Sequence, residues 1–311
     1  MPPAPLATTP VGRFAPSPTG PLHFGSLLTA VGSYCLARQA GGLWLLRIED
    51  LDTPRVVPGA ADTILHTLDA LALHWDGEIL YQSRRTSRYT EALDILEQKG
   101  LIYGCACSRK EILASAPHPG EEGPIYPGLC RHGLAAGRAP RAWRLRVPAR
   151  SVAVTDSICG RQSQHLAEDV GDFVVRRADG LFAYQLAVVV DDADSGVTQV
   201  VRGQDLLTST PRQIYLQECL GLPHPCYIHL PLALAADGEK ISKRHGAVAV
   251  GREEGGTLIA AALRFLGQAV PAELEQAPPE EVLRWGVAHF DLRRVPKDSR
   301  PLPEDVRACL S

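Results

Sequence analysis

The apolar positions in the first third of the chain change regularly between the spacing of strands and the spacing of helices. Residues 11–14 and 43–48 form short apolar runs bounded by Pro or Gly, which predicts two β-strands. A segment with apolar residues at helical spacing follows each run, first Leu27, Leu28, Val31 and Leu36, then, at three- and four-residue steps, Ile64, Leu65, Leu68 and Leu71. This alternation predicts an α/β fold, in which helices cover both faces of a parallel sheet.

The pattern changes between about residues 105 and 180, where Gly, Pro and Arg become frequent. Short alternating segments there, such as 142–147, predict a small inserted α+β lobe. The near-continuous apolar run 181–190 is typical of a strand buried on both faces, and 227–234 predicts a further strand. Leu258, Ile259, Leu263 and Leu266 predict a helix near the C-terminus. We therefore expect a disordered tail (1–10), a split Rossmann-type catalytic domain (11–104 and 181–250), the inserted lobe (105–180) and a short helical segment (251–311).

Composition and charge narrow the class of protein. With 45% hydrophobic and 22% charged residues the chain of 311 residues is expected to fold, and no apolar run reaches the roughly 20 residues of a membrane span. A net charge of -3 means that a nucleic-acid partner needs a local basic surface. Residues 123–155 offer one, because they contain no acidic residue but include Arg131, Arg138, Arg141, Arg144, Arg146 and Arg150. Arg144 and Arg146 are either contacts to RNA phosphates or part of a solvated strand face.

The first motif that carries chemistry is 16–26 (PSPTGPLHFGS), at the predicted junction of a strand and a helix. A helix N-terminus favours a phosphate, and His23 adds a hydrogen-bond donor there. Gly25 would allow an adenine ring to approach the backbone. Taken alone, the same residues also suit a Pro-rich turn with a capping histidine.

The second motif is the cationic segment 239–246 (EKISKRHG), which follows the predicted strand 227–234. Lys240, Lys243 and Arg244 suit a polyphosphate that gains charge while its α-phosphorus is attacked. Alone, the segment could equally be a solvated basic turn.

The two motifs in this order resemble the HIGH-type turn and the KMSKS-type loop of class I aminoacyl-tRNA synthetases. The flanking segments 12–20 (GRFAPSPTG), 47–52 (RIEDLD), 201–203 (VRG) and 240–247 (KISKRHGA) are similar to the glutamyl branch of that family. The similarity extends from about residue 11 to residue 267. It implies a ligase that binds ATP with Mg²⁺ and L-glutamate and acts on a tRNA.

The resemblance also implies roles for individual residues. Arg13 and Arg202 would hold the side-chain carboxylate of glutamate, with Tyr184 beside them, and Glu49 would bind the α-ammonium group. Phe14, Ala15, Pro16 and Ser17 would complete the glutamate site, and the ATP site would comprise His23, Gly25, Ser26, Lys240, Ser242 and Lys243, with His23 and Lys243 catalytic. Individually, the two arginines could be a surface pair and Tyr184 a core aromatic residue. Ser26 departs from the family pattern, since the second histidine of the HIGH motif is expected there, and the uncharged hydroxyl predicts slower chemistry.

Cys105, Cys107 and Cys130 have the spacing of three ligands of a structural zinc ion, although three free cysteines remain the alternative. Tyr126 resembles the phenolate ligand of short glutamyl paralogues, and His118 and His132 are the conventional alternatives for the fourth ligand. Because the other cysteines are scattered, we expect a reduced, cytoplasmic protein.

Ordinary glutamyl-tRNA synthetases continue into anticodon-binding helical domains, whereas this chain ends at Ser311. The resemblance is therefore to the truncated paralogues, the glutamyl-queuosine tRNA(Asp) synthetases, which activate glutamate without tRNA and transfer it to queuosine in tRNA(Asp). A monomer without membrane association is expected. Two alternatives remain: a minimal glutamyl-tRNA synthetase that charges the 3′ end of tRNA(Glu), and a catalytically silent RNA-binding paralogue.

Overall fold

A five-stranded, wholly parallel sheet organises the computed structural model, which describes residues 9–115, 119–120, 123–235, 238, 241 and 255–302. Its strand order is β12-β11-β1-β2-β3. The strands are β1 Val11–Phe14, β2 Leu43–Ile48, β3 Leu80–Tyr81, β4 Ile102–Cys105, β5 Pro119–Gly120, β6 Gly123–Pro124, β7 Ala142–Leu145, β8 Ser151–Asp156, β9 Gly160–His165, β10 Val174–Arg176, β11 Gln199–Gly203, β12 Cys226–Leu230, β13 Ala233–Leu234 and β14 Arg300–Pro301. The helices are α1 Phe24–Gln39, α2 Ala60–Ala70, α3 Thr86–Gln98, α4 Arg109–Ser115, α5 Leu166–Asp169, α6 Tyr184–Asp194, α7 Thr210–Leu220, α8 Gly255–Phe265 and α9 Pro279–His289.

The parallel sheet separates two hydrophobic cores. Neighbouring residues of one strand fall into different cores, as Val200 and Val201 do in β11. Helices α1, α8 and α9 pack on the side of Val201, and α3, α6 and α7 pack on the side of Val200. This arrangement follows from the alternation of side chains along a strand and confirms the predicted sheet with two covered faces.

A smaller antiparallel sheet has the order β10-β7-β4. Strands β7 and β10 and the hairpin β8–β9 lie within the predicted insertion, whereas three of the four residues of β4 precede it. The end of the hairpin is tied to the large sheet, because the amide of Ser157 donates to the carbonyl of Tyr227 in β12 at 3.0 Å. Residues that close β8 therefore lie next to residues of the parallel sheet.

The prediction of a strand at 181–190 is wrong, because residues 184–194 form helix α6. Residues 186–192 are all buried, between β10, α3 and α7. A helix that is enclosed on all sides has no polar face, so the sequence loses the 3.6-residue period and looks like a buried strand.

The predicted strand 227–234 is interrupted after Leu230, and its last two residues form the separate strand β13. Strand β13 pairs with β14 in a separate two-stranded parallel sheet, which brings residues 300–301 next to the segment that follows β12. The predicted C-terminal helix is present as α8, and α9 follows it. In the part of the chain that the structure describes, no helix is long and apolar enough to cross a membrane.

Candidate active site

A cavity of about 380 Å³ opens at the carboxyl ends of four neighbouring strands of the large sheet. Phe14 ends β1, Glu49 follows β2, Gly203 ends β11 and Pro231 follows β12, and all four line the cavity. Ligands of open α/β sheets bind at this edge, because the loops that leave parallel strands converge there.

The cavity unites the predicted substrate residues that lie within the described ranges. Its lining includes Arg13, Phe14, Ala15, Pro16, Ser17, His23, Gly25, Ser26, Glu49, Tyr184 and Arg202. The predicted residues Lys240, Ser242 and Lys243 lie outside the described residues. Ile241, from the same motif, lines the cavity, and its amide donates to the carbonyl of Ala233 at 3.0 Å. The roles of all these residues in binding stay predictions.

A chain of buried charges fixes Arg13 and Glu49. Asp192 of α6 accepts from Arg13 Nε at 3.2 Å and from Arg47 Nη1 at 2.6 Å through the same Oδ1 atom. Arg47 also donates from Nη2 to Glu49 Oε1 at 3.1 Å. Arg13 is further held by the carbonyl of Val201, which accepts from Nη1 at 3.1 Å. Within the described residues, Arg13 Nη2 and Glu49 Oε2 make no hydrogen bond, so each can serve a ligand in the cavity.

Burial and neighbouring charge act in opposite directions on these carboxyl groups. Burial raises the pKa of Glu49 above its ordinary value, and Arg47 and Arg13 only partly oppose this effect. Burial also acts to raise the pKa of Asp192, but Arg13 and Arg47 outweigh it and hold that pKa below its ordinary value. Asp192 therefore serves as the permanent counterion, while Glu49 remains the more easily protonated group.

Arg202 is anchored from the opposite side of the cavity. It is 4% exposed and donates from Nη1 to Gln213 Oε1 at 2.8 Å and from Nη2 to Thr210 Oγ1 at 2.9 Å. Its Nε donates to His229 Nε2 at 3.0 Å. Tyr184 lines the cavity as the first residue of α6, and burial raises the pKa of its phenol, which stays protonated as a donor.

His23 caps helix α1 at the opening of the cavity. Its Nδ1 accepts from the amide of Ser26 at 3.2 Å, and its Nε2 lies 3.2 Å from Ser26 Oγ. A methyl group at Gly25 would lie 3.0 Å from Cε1 and 3.1 Å from Nδ1 of this imidazole. The glycine therefore leaves room for the imidazole of His23. The approach of an adenine ring to Gly25 stays a prediction.

Sequence reasoning missed the residues that hold these side chains in place. Arg47 and Asp192 connect Arg13 to Glu49, and His229 supports Arg202. The acidic pair Asp191 and Asp192 at the end of an apolar run was the available signal, because buried carboxylates need partners.

The three predicted metal ligands come together in the inserted lobe. The Sγ atoms of Cys105, Cys107 and Cys130 lie within 4.8 Å of one another, and those of Cys107 and Cys130 are 3.5 Å apart. Tyr126 Oη lies 3.5 Å from Cys105 Sγ and 3.6 Å from Cys107 Sγ. Among the described residues no histidine lies in this group, so His132 is not the fourth ligand of the site. The other predicted alternative, His118, lies outside the described residues.

Arg144 does not lie on a solvated surface, so the interpretation as part of a solvated strand face is wrong for this residue, and its contact with an RNA phosphate stays a prediction. It is 8% exposed, its guanidinium group stacks 3.8 Å from the centre of the Tyr126 ring, and its Nη1 donates to the carbonyl of Asp172 at 2.7 Å. Arg146 is partly buried over the ring of Tyr103, at 4.6 Å. The alternation of residues 142–147 predicted both arginines on one face, but Tyr126 covers Arg144 and Tyr103 covers Arg146 in the folded chain.

The chain matches one family over most of its length. The family described as tRNA synthetases class I (E and Q), catalytic domain, matches residues 11–267. A curated relative from Dechloromonas aromatica, named glutamyl-Q tRNA(Asp) synthetase, is 60% identical over 93% of this chain and 96% of its own length. A relative of the same name from Geobacter sulfurreducens is 57% identical over 94% of this chain and 95% of its own.

Solved structures agree with the sequence relatives. A glutamate tRNA ligase from Elizabethkingia meningosepticum, in complex with its amino acid, superposes with a TM-score of 0.79 at 25% identity, over 97% of this chain and 68% of its own. A glutamate-tRNA synthetase from Elizabethkingia anophelis gives the same TM-score of 0.79 over 70% of its length. The chain is therefore a ligase that belongs to the class I tRNA synthetases of the E and Q type and, among them, to the glutamyl-Q tRNA(Asp) synthetase family.

Proposed function

We propose that this protein activates glutamate with ATP in the absence of tRNA and then transfers the glutamyl group to queuosine in the anticodon of tRNA(Asp). The observation that carries the proposal is the single cavity that contains Arg13, Arg202 and Glu49 beside the N-terminus of α1. Two guanidinium groups suit the side-chain carboxylate of glutamate, and one carboxylate suits its ammonium group.

The glutamate site follows from the donors and acceptors that the fold leaves available. Arg13 Nη2 and Arg202 face the cavity and would bind the side-chain carboxylate, with the phenol of Tyr184 as a further donor. Glu49 Oε2 would accept from the α-ammonium group. A neutral amide in place of the carboxylate would leave buried guanidinium charge unbalanced, so glutamine is disfavoured.

The ATP site lies at the start of α1, where amide groups and His23 can meet the phosphates. An oxygen of the glutamate α-carboxylate would attack the α-phosphorus, form the acyl-phosphate bond and release pyrophosphate. Mg²⁺ bound with ATP would neutralise charge on the phosphates, and the predicted Lys243 would share this task. His23 would donate to a phosphate oxygen as negative charge moves toward the leaving group.

The cysteine cluster is proposed to bind one structural zinc ion through Cys105, Cys107, Cys130 and Tyr126. In a tetrahedral site with ligand distances of about 2.3 Å for sulfur and about 2.0–2.1 Å for oxygen, two sulfurs lie roughly 3.8 Å apart and a sulfur lies roughly 3.5–3.6 Å from the oxygen. The observed distances of 3.5 Å between two sulfurs and 3.5 and 3.6 Å between sulfur and phenol oxygen fit this arrangement. The ion would hold the chain around Tyr126 and Cys130 against β4.

Queuosine-bearing tRNA(Asp) is proposed as the acceptor because relatives with 57% and 60% identity carry that specificity in their names. A hydroxyl of the modified nucleoside would attack the carbonyl carbon of the adenylate, form the ester and release AMP. We also propose the domain division predicted above, a monomeric state and a reduced cytoplasmic setting. The seven free cysteines of the described residues support that setting.

The test combines two assays on the purified protein. Glutamate-dependent exchange of pyrophosphate into ATP is expected without tRNA, and labelled glutamate is expected on tRNA(Asp) that contains queuosine but not on the same tRNA lacking it. Label on tRNA(Glu) instead would show a minimal glutamyl-tRNA synthetase. No exchange together with retained tRNA binding would show a catalytically silent paralogue.

A further inference from the structure

Arg202 is held through its Nε atom by a buried histidine that the motifs do not include. His229 lies in β12, is 0% exposed, and accepts from Arg202 Nε through its Nε2 atom at 3.0 Å. The other ring nitrogen, Nδ1, lies 2.7 Å from Asp156 Oδ2. A neutral imidazole can accept at Nε2 only when its proton is on Nδ1, so the hydrogen bond to Asp156 selects the required tautomer.

Asp156 can accept that proton because its own orientation is fixed. Its Oδ1 accepts from the amides of Ile158 at 2.9 Å and Cys159 at 2.8 Å, which leaves Oδ2 for His229. Asp156 is 2% exposed and ends β8, where the inserted lobe meets the large sheet. The residue that determines which ring nitrogen of His229 carries the proton therefore comes from the inserted lobe.

The electrostatics agree with this direction of hydrogen bonding. Burial lowers the pKa of His229, and Arg202 lowers it further against the opposing effect of Asp156, so the imidazole is neutral. Burial acts to raise the pKa of Asp156, but the bonds from His229 and the two amides outweigh burial and keep the carboxyl ionised. One chain of donors thus runs from Arg202 to His229 and from His229 to Asp156.

We propose that Asp156 and His229 are positioning residues that determine glutamate specificity by orienting Arg202 toward the side-chain carboxylate. The inference rests on the proposed function, because it assigns Arg202 to the substrate. Neither residue touches the substrate; each acts by fixing the plane of the Arg202 guanidinium group, so that its remaining donor points into the cavity. Four of the five N–H groups of Arg202 are taken by His229, Gln213, Leu206 and Thr210, so the direction of the remaining donor depends on the plane of the guanidinium group. This makes the support of Nε important.

The substitution Asp156→Asn tests the direction of the hydrogen bond between His229 and residue 156, with almost no change in side-chain volume. Oδ1 of the asparagine must still accept from the amides of Ile158 and Cys159, so its NH₂ group would face His229. The histidine would then accept at Nδ1 and carry its proton on Nε2, directly against the Nε–H of Arg202. A wrong tautomer of this kind disables an aspartate–histidine pair even when the geometry is kept.

The experiment measures glutamate-dependent pyrophosphate exchange in the full-length protein. Asp156→Asn and His229→Leu are each expected to raise KM for glutamate by about 10- to 100-fold, the loss of one hydrogen bond to a charged group, with KM for ATP unchanged. His229→Gln, which keeps an acceptor near the position of Nε2, is expected to recover most of the loss. Both damaging variants should also discriminate less well between glutamate and glutamine.

Ser33→Ala is the matched control, because it removes a buried hydrogen bond, Trp44 Nε1 to Ser33 Oγ at 2.9 Å, away from Arg202. Its KM for glutamate should equal that of the unmodified protein. Two outcomes overturn the positioning role when the unmodified protein catalyses pyrophosphate exchange. In the first, Asp156→Asn and His229→Leu both keep the KM for glutamate of the unmodified protein. In the second, they change the KM values for glutamate and ATP alike. If unmodified protein shows no exchange, the proposed function fails instead.

Discussion

The carboxyl group of Glu49 is held by the fold and, in the proposed function, would also bind the substrate. Its Oε1 accepts from Arg47, which belongs to the ion network with Asp192, while Oε2 makes no hydrogen bond within the described residues and Glu49 lines the cavity. A side chain in this position cannot rotate away when a ligand binds. The amino group of the substrate would therefore meet an acceptor that is already oriented.

Substituting Glu49→Gln is expected to raise KM for glutamate by about 10- to 100-fold, because the α-ammonium group loses a charged acceptor. KM for ATP should not change. Since burial raises the pKa of Glu49, unmodified protein should lose affinity for glutamate as pH falls, beginning above the range of an ordinary glutamate carboxyl group.

The pH dependence is measured by pyrophosphate exchange at a series of pH values from neutral downward. Glu49→Gln cannot titrate at this position, so its KM should vary less with pH. Glu91→Gln, an exposed carboxylate of α3 whose partner is Arg88, is the matched control. A profile for Glu49→Gln that is parallel to that of unmodified protein would contradict the assignment.

Gly25 allows a separate prediction about His23. In Gly25→Ala the new methyl group would press on the imidazole at about 3 Å, and the rate of adenylate formation should fall by about tenfold as His23 moves. Stability should not fall, because alanine favours a helix by about 1 kcal/mol relative to glycine.

The measurements for Gly25→Ala are single-turnover adenylate formation and urea unfolding. Gly286→Ala in α9 is the control, because its methyl group would meet Cys35 Sγ at a similar 3.1 Å without a catalytic side chain nearby. Equal rates for Gly25→Ala and unmodified protein would show that His23 keeps its position or is not needed.

At the scale of elements, the strand pair β13–β14 connects the C-terminal segment to the wall of the cavity. Ser299 Oγ accepts from the amide of Leu232 at 2.9 Å and donates to Gln204 Oε1 at 2.9 Å. Leu232 and Ala233 line the cavity directly before the second motif. The segment 297–302 thus stabilises one wall of the proposed ATP site.

Ser299→Ala should lower the free energy of unfolding by about 1–2 kcal/mol, because the amide of Leu232 loses its acceptor. We expect kcat/KM for ATP to fall severalfold while KM for glutamate stays constant. Unfolding by urea and pyrophosphate exchange measure the two effects. Ser83→Ala, which removes a hydrogen bond to Asp50 in an exposed position, is the control and should leave both quantities near those of unmodified protein.

At the scale of the whole molecule, the cysteine cluster forms a third, small core that is separate from the two large ones. Tyr103, Cys105, Tyr126 and Cys130 are buried together there. So few apolar side chains give little stabilisation by themselves, which is why a metal ion is expected to hold this part of the lobe.

The unmodified protein is expected to contain about one zinc ion per chain, and the substitution Cys130→Ser should abolish this binding. Loss of the ion, by this substitution or by a chelator, should lower the free energy of unfolding by about 3 kcal/mol or more. Metal content is measured by atomic absorption, and unfolding by urea titration. Cys226→Ser, an exposed cysteine, is the control. Full stability of Cys130→Ser with no bound metal would mean that the lobe holds itself together without an ion.

The sequence alone determined the elements whose apolar residues follow a recognisable local pattern and the motifs that are contiguous in the chain. Strands β1 and β2 were predictable as short apolar runs bounded by Pro or Gly, and helices α1 and α8 were predictable from apolar residues at helical spacing. Arg13, Glu49 and Arg202 were found because each lies in a short segment that resembles the family. Tertiary structure decided the rest. Helix α6 was mistaken for a strand because the consecutive buried residues 186–192 begin with an unbroken apolar run that does not reveal the helical period.

The partners of the site residues depend on contacts between distant parts of the chain. Asp192 reaches Arg47 across a sequence separation of 145 residues, and Asp156 reaches His229 across 73. Whether a buried aspartate supports the fold, orients a histidine or binds a metal is set by what the folded chain places against it. No local pattern contains that information, because the free energy of a buried charge depends on its partners in space.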